Sequence, residues 1–122
     1  MQNTILCIDD EPLALELRCK LLAKAGYRVL VAASPEEGIG LFGSERVDLV
    51  VLDYWMPDLK GIAVAEKLKS MNPAVPIVML SGFRPIFDEG IGLADLWLLK
   101  GESEPEDLLT AVAELLHRAQ SR

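Results

Sequence analysis

Short apolar runs rich in β-branched residues alternate along this chain with segments of helical periodicity. Five such runs are predicted to be strands, near residues 4–9, 27–32, 47–53, 76–80 and 95–99. Between them, apolar side chains recur at helical spacing, as at Leu17 with Leu21 and Leu22, Val64 with Leu68, and Leu108 with Val112 and Leu115. This alternation is typical of a parallel sheet with helices on both faces. We therefore predict five βα units in one doubly wound α/β domain, with one buried stripe on each helix.

Two helix starts and one helix end carry local signals. Ser34 is a predicted N-cap, followed by a proline and by Glu37 at the capping-box spacing, and residues 103–106 repeat that pattern around a second proline. Gly26 suits the position just after a helix. These signals place helix boundaries between the predicted strands.

The length and composition limit the number of domains and the partners. A chain of 122 residues with 51% hydrophobic residues can bury one core, so residues 1–122 are predicted to form a single domain with nothing left for an output domain. The net charge of −7 disfavours binding to nucleic acid, because that requires clustered Lys and Arg.

The sequence contains no signal for a membrane. No apolar run approaches the roughly 18–20 residues of a membrane span, and the N-terminus lacks the pattern of a signal peptide. The protein is therefore predicted to be cytoplasmic, with no membrane contact. Cys7 and Cys19 lack metal-ligand spacing and are expected to be free thiols rather than a disulfide.

Polar residues stand where four of the predicted strands end. In open α/β sheets, ligands bind outside the carboxyl ends of the strands, so these end residues are the candidates for a functional site. They are Asp9, Asp10, Asp53, Ser81 and Lys100. A site at this edge of the sheet would therefore combine three carboxylates, a hydroxyl and an ammonium group.

This combination of groups has a recognisable chemistry. Clustered carboxylates repel one another, and a hard cation such as Mg²⁺ relieves the repulsion, so Asp10 and Asp53 are predicted ligands. A carboxylate beside a metal can also act as a nucleophile toward phosphorus and form an aspartyl phosphate. Ser81 and Lys100 would then stabilise the phosphoryl oxygens by a hydrogen bond and by charge.

Five positions in order resemble the receiver domain of two-component response regulators, and the resemblance covers nearly the whole chain. The residues that carry it are Asp9-Asp10, Asp53 followed by Met56-Pro57 and Gly61, Ser81-Gly82, and Lys100. The resemblance implies a flavodoxin-like strand order of 2-1-3-4-5. It also implies a stand-alone signalling module rather than an enzyme, one that only assists its own phosphotransfer and slow autodephosphorylation.

The resemblance further implies a role for each site residue. Asp53 would accept a phosphoryl group from a histidine kinase or phosphotransfer protein. Asp9 and Asp10 with Asp53 would hold Mg²⁺, and the carbonyl of Trp55 would complete the metal site.

By the same resemblance, the residues that respond to phosphorylation are expected on the fourth and fifth predicted strands or directly after them. Ser81 would sense the phosphoryl group, Lys100 would pair with it, and Trp97 occupies the aromatic switch position. Partners or a second copy would dock on the face made by the fourth predicted helix, the fifth strand and the fifth helix.

The chain departs from the family pattern at three places. Gly101 follows the lysine where the family has proline, and a cis bond to a non-proline residue costs about 2.5–4 kcal/mol, so Lys100 is expected to be less rigidly aimed. Trp55 is bulky, and we expect it to exclude attacking water and slow the loss of phosphate. The segment between Ser81 and Lys100 is short and rich in apolar residues, with a weak helical composition.

Two other functions stay open. A pseudo-receiver would keep the fold and bind partners without phosphate. A small metal-dependent phosphatase would need a second acid two residues after Asp53, where Trp55 stands. A flavin-binding domain is disfavoured, because no phosphate-cradling loop follows the first strand.

Overall fold

The computed structural model of the protein describes residues 2–56, 60–82, 93–100 and 105–121. Its five strands all pair in parallel, in the order β2-β1-β3-β4-β5. They are β1 (Thr4–Ile8), β2 (Arg28–Ala32), β3 (Leu49–Asp53), β4 (Ile77–Ser81) and β5 (Leu96–Leu99). The five predicted strands and the flavodoxin-like order are confirmed.

The described residues contain four α-helices, α1 (Pro12–Lys24), α2 (Pro35–Ser44), α3 (Gly61–Met71) and α4 (Pro105–Gln120). The helix predicted between β4 and β5 falls on residues 83–92, which lie outside the described residues, so α4 corresponds to the fifth predicted helix. No helix in the described part of the chain is long and apolar enough to cross a membrane.

The side chains of alternate strand residues lie on opposite faces of the sheet, where they form two separate hydrophobic cores. One core joins Leu6 and Leu52 to α2 and α3. The other joins Ile5 and Val51 to α1 and α4. Because β1 and β3 are covered on both faces, every residue of these two strands is buried, as is typical of the central strands of a parallel sheet.

The predicted helix boundaries are confirmed where they fall on described residues. The hydroxyl oxygen of Ser34 accepts a hydrogen bond from the backbone N–H of Glu37 at 3.1 Å, and the Glu37 carboxylate accepts one from the N–H of Ala33 at 2.7 Å. Gly26 follows α1 with a φ of 103°, a left-handed conformation that favours glycine. The signal at residues 103 and 104 lies outside the described residues.

The predicted buried stripe of α1 is confirmed at Leu22, which is fully buried, and at Leu21, which packs partly buried against the same core, but it is wrong at Leu17. Leu17 is 60% exposed, whereas Leu15 and Leu22 are buried against the sheet. Arg18 lies between these two leucines at helical spacing, and its side chain is only 15% exposed. The inward face of α1 therefore carries a charged residue that the hydrophobic pattern did not reveal. The buried stripes predicted on α3 and α4 are confirmed.

Both cysteines are free thiols, as predicted. Cys7 lies in β1, and its burial raises its pKa to about 12. Such a thiol stays protonated near neutral pH and acts as a small apolar core residue.

Candidate functional site

Three carboxylates meet at the carboxyl ends of β1 and β3. The two strands are neighbours, with Ile8 opposite Leu52, so Asp9 and Asp53 follow in matching positions. Both are buried, with 1% and 3% of their surface exposed, while Asp10 is exposed. One oxygen from each of Asp9, Asp10 and Asp53 lies within 4.8 Å of the others. The structure therefore brings together the three acids that the sequence placed at this edge.

The donor set of this cluster fits a hard divalent cation. Carboxylate oxygens are the ligands that Mg²⁺ prefers in proteins, and the exposed Asp10 leaves an approach from solvent. The backbone N–H of Trp55 donates a hydrogen bond to the Asp53 carboxylate. The Trp55 carbonyl as a further ligand stays a prediction.

Lys100 brings a cation to the same cluster from β5. Its ammonium nitrogen lies 2.6 Å from Oδ1 of Asp53 and 4.0 Å from Oδ2 of Asp9. The backbone N–H of Lys100 donates to the carbonyl of Ser81 at 2.7 Å, so the strand pairing of β5 with β4 carries the lysine to this edge. The predicted juxtaposition of Asp53 and Lys100 is present, while Gly101 lies outside the described residues.

Burial dominates the protonation equilibrium of Asp53. Loss of solvation raises its pKa above the ordinary value of 3.8, and the nearby charge of Asp9 adds to the rise. The Lys100 ammonium and the N–H of Trp55 act in the opposite direction by stabilising the carboxylate. Asp53 is thus a buried carboxylate that two donors favour in its charged form.

Ser81 lies at the same edge, at the end of β4. It is 1% exposed, and it pairs with Leu99 in the register that sets Leu80 opposite Asp53. Its hydroxyl is therefore supplied by the strand between those that supply Asp53 and Lys100.

Gly61 allows α3 to begin directly against the end of β3. Its N–H donates to the carbonyl of Tyr54 at 2.7 Å. A Cβ at this position would lie 2.6 Å from the backbone oxygen of Asp53 and 2.7 Å from Cα of Tyr54. Only glycine fits this approach without displacing the backbone that carries Asp53.

Aromatic rings connect the end of β3 to β5. The Tyr54 ring lies 5.7 Å from the Trp97 ring and 6.3 Å from the Trp55 ring, measured between centroids. Trp97 is half-buried on β5, whereas Trp55 is 62% exposed and has the Lys60 ammonium 5.4 Å from its ring centroid. The sequence singled out both tryptophans but missed Tyr54, because the contact depends on the pairing of distant strands.

Arg18 is the other residue that the sequence analysis missed. Its Nη1 donates to Oδ2 of Asp9 at 2.5 Å, so within the described residues the acidic cluster has two cationic neighbours rather than one. The available signal was its spacing between Leu15 and Leu22, which places a charge on the inward face of α1.

The model of one protein family, the response regulator receiver domain, matches residues 5–112. The chain belongs to this family. A receiver domain protein from Methanospirillum hungatei, described as CheY-like, superposes with a TM-score of 0.91 and 27% identity, covering 99% of this chain and 98% of the other. The receiver of Thermotoga maritima TrrA, solved in complex with Mg²⁺-BeF, gives a TM-score of 0.87 and 30% identity over 93% of this chain and 99% of the other.

Curated relatives of this receiver are longer than the chain. The alkaline phosphatase synthesis transcriptional regulatory protein PhoP of Bacillus subtilis is 34% identical over 98% of this chain and 51% of its own length. The chain spans about half the length of the curated relatives it matches. PhoP is named a transcriptional regulatory protein, so these relatives do not support the expected absence of nucleic-acid contact. For this chain, that absence stays a prediction.

Proposed function

We propose that this receiver works by accepting a phosphoryl group on Asp53 in a Mg²⁺-dependent reaction. The observation that carries the proposal is the position of Asp53. Its buried carboxylate lies 2.6 Å from the Lys100 ammonium and within 4.8 Å of oxygens from Asp9 and Asp10. A structural ion pair would need one acid and one base, whereas this edge of the sheet collects three acids.

The proposed step is a displacement at phosphorus. One carboxylate oxygen of Asp53 attacks the phosphorus, a P–O bond forms, and the bond from phosphorus to the donor's nitrogen or oxygen breaks with its electron pair leaving on the donor. Lys100 stabilises the oxygens of the transferred group by charge, and Ser81 does so by a hydrogen bond. The donor is a histidine kinase or phosphotransfer protein in the cell.

Asp9 and Asp10, together with Asp53, would hold the cation. When bound, Mg²⁺ neutralises charge that develops on the transferring phosphoryl group. Asp10 is the ligand most open to exchange because it is exposed, while Asp9 is buried and already bonded to the protein.

Signal output is proposed to pass through β5. Asp53 and Lys100 are paired, so a phosphoryl group on Asp53 gives Lys100 a new partner, and Ser81 and Trp97 respond on the neighbouring strands. A downstream protein or a second copy would then dock on the face that includes β5 and α4. The same account holds for a stand-alone receiver and for one attached to a further domain.

Intact-mass spectrometry tests this function. The protein is incubated with a small-molecule acyl phosphate, with Mg²⁺ or with chelator, beside Asp53→Asn and Asp10→Asn variants. We expect one phosphoryl group on the wild type with Mg²⁺, none on the Asp53 variant, and slower gain on the Asp10 variant. Equal gain by the Asp53→Asn variant would refute the proposal. No gain by a folded, Mg²⁺-binding wild type would favour the pseudo-receiver.

A further inference from the structure

Arg18 contacts the acidic cluster from the inward face of α1. We propose that Arg18 is a positioning residue that holds Asp9 while no divalent cation is bound and thereby weakens Mg²⁺ binding. This inference rests on the proposed function, because it assigns Asp9 to the metal site. It concerns a residue that the phosphoryl-transfer chemistry itself does not use.

Both oxygens of Asp9 are already bonded to the protein. Oδ1 accepts a hydrogen bond from the backbone N–H of Glu11 at 3.0 Å. Oδ2 accepts one from Nη1 of Arg18 at 2.5 Å, and the Lys100 ammonium lies 4.0 Å from the same oxygen. A cation that uses Asp9 must therefore share an oxygen with the Glu11 N–H or with the Arg18 guanidinium group, or displace one of them.

The ion pair is shielded from solvent, which makes the charge of Arg18 effective. The side chains of Arg18 and Asp9 are 15% and 1% exposed. Lys20 and Glu16, on the same helix, are 72% and 59% exposed, so water and salt screen that pair much more strongly. Two charges on α1 that look alike in the sequence thus differ in their influence on the site.

The charge balance of the cluster points the same way. Among the described residues, the three carboxylates of the cluster have two cationic partners, Arg18 and Lys100, which leaves one net negative charge when all five are ionised. A divalent cation would turn this into a net positive charge. Without the charge of Arg18, the cluster would carry two negative charges, which a divalent cation neutralises.

The direct test is the Mg²⁺ affinity of an Arg18→Gln variant, measured by intrinsic tryptophan fluorescence and by calorimetry. Glutamine keeps a hydrogen-bond donor for Asp9 and removes the charge. We expect Mg²⁺ to bind about tenfold more tightly than to the wild type, as removal of one nearby like charge predicts at intermediate dielectric. Arg18→Lys keeps the charge and should stay within about twofold of the wild type.

Lys20→Gln is the matched control, because it removes one positive charge from the exposed face of the same helix. Its Mg²⁺ affinity should equal that of the wild type. Equal or weaker binding by Arg18→Gln, with binding by the wild type intact, overturns the inference and leaves the proposed function standing. A folded wild type that binds no Mg²⁺ overturns the metal site itself, and the inference with it.

A second measurement needs no variant. In the wild type, nitrogen-15 NMR of the guanidinium groups should show the Arg18 signal moving and exchanging faster as Mg²⁺ is added, because Asp9 is released from the pair. The signal of Arg118, which pairs with Glu114 on the exposed face of α4, is the internal reference and should not move. An Arg18 signal unchanged at saturating Mg²⁺ contradicts the inference.

Discussion

The two sides of the functional site are built on strands of very different burial. Asp9 follows β1 and Asp53 is the last residue of β3, and every residue of these two strands is buried between two layers of helices. Lys100 follows β5, which within the described part of the chain pairs only with β4 and has no fully buried residue. The carboxylates are 1% and 3% exposed, whereas the lysine side chain is 37% exposed.

This difference assigns separate tasks to the two sides. Core packing on both faces holds the Asp53 carboxylate in place, since moving it would disturb side chains throughout a close-packed interior. An edge strand with fewer neighbours costs less to shift. A change at Asp53 is therefore expected to move β5, with Lys100 and Trp97, and to leave β3 in place.

Removing the cation supplied by the edge strand should have the largest effect. Lys100→Ala leaves Asp53 buried without its ammonium partner, and we expect phosphorylation to slow by about 10²–10³-fold, as for loss of one preorganised donor. Initial rates by intact mass measure this. Lys69→Ala is the control, because Lys69 pairs with Asp95 at the opposite end of β5. Equal phosphorylation rates for the Lys100 variant and the wild type would show that the edge strand β5 contributes no group to the reaction.

Gly61→Ala tests the fixed side. The new Cβ would lie 2.6 Å from the backbone oxygen of Asp53, so we expect a loss of about 2–3 kcal/mol in the free energy of unfolding from overpacking. Urea unfolding measures it. Gly40→Ala is the control, since nothing lies within 4 Å of its Cβ and an exposed helical alanine should stabilise by about 0.5–1 kcal/mol. Equal free energies of unfolding for the two variants would show that the backbone at the end of β3 shifts to accommodate the new Cβ.

The buried acceptor should make stability depend on pH. The pKa of Asp53 is raised above 3.8 in the folded state, mainly by burial, so its contribution to stability is fully present below pH 3.8 and is lost as pH rises through the folded pKa. Asp53→Asn should therefore gain stability relative to the wild type as pH increases from 3.8 upward. Thermal unfolding of both proteins between pH 3 and 8 measures the difference. If the stability advantage of Asp53→Asn over the wild type decreased with rising pH, burial would not be the main influence on the pKa of Asp53.

Trp55 should affect how long the phosphoryl group persists. It lies two residues after Asp53 and is 62% exposed, and we predict that its indole restricts the approach of water to a phosphoryl group there. We expect Trp55→Asn to lose phosphate a few fold faster, a change of about 1 kcal/mol in the barrier. Lys60→Gln, which removes the cation over the ring, should have a smaller effect in the same direction. Unchanged or slower decay in the Trp55 variant would refute this shielding.

Much of the fold and most of the site follow from local patterns in the sequence. Strand ends are marked by the switch from apolar to polar residues, and parallel strands bring those ends to one edge. That logic is enough to place Asp9, Asp10, Asp53, Ser81 and Lys100 together. Gly61 was identifiable only as part of a motif, and its close approach to Asp53 needed coordinates.

Two features could not be obtained in that way. The buried stripe of α1 was predicted at Leu17, Leu21 and Leu22, and Leu17 was included wrongly because periodicity alone does not fix which of several leucine rows faces the sheet. The same error hid Arg18, since charged side chains on helices are expected to face solvent unless they are paired. The contact of Tyr54 with Trp97 depends on how β3, β4 and β5 pair, which no local pattern specifies.

The measurement that tests the central claim most directly is the location of the phosphoryl group in the chain. The protein is phosphorylated with an acyl phosphate and Mg²⁺, reduced with borohydride, which converts an aspartyl phosphate to homoserine, and mapped by peptide mass spectrometry. We predict homoserine at position 53 and at no other aspartate. Homoserine at position 9 or 10, or none in a protein that has gained a phosphoryl group, would contradict Asp53 as the acceptor.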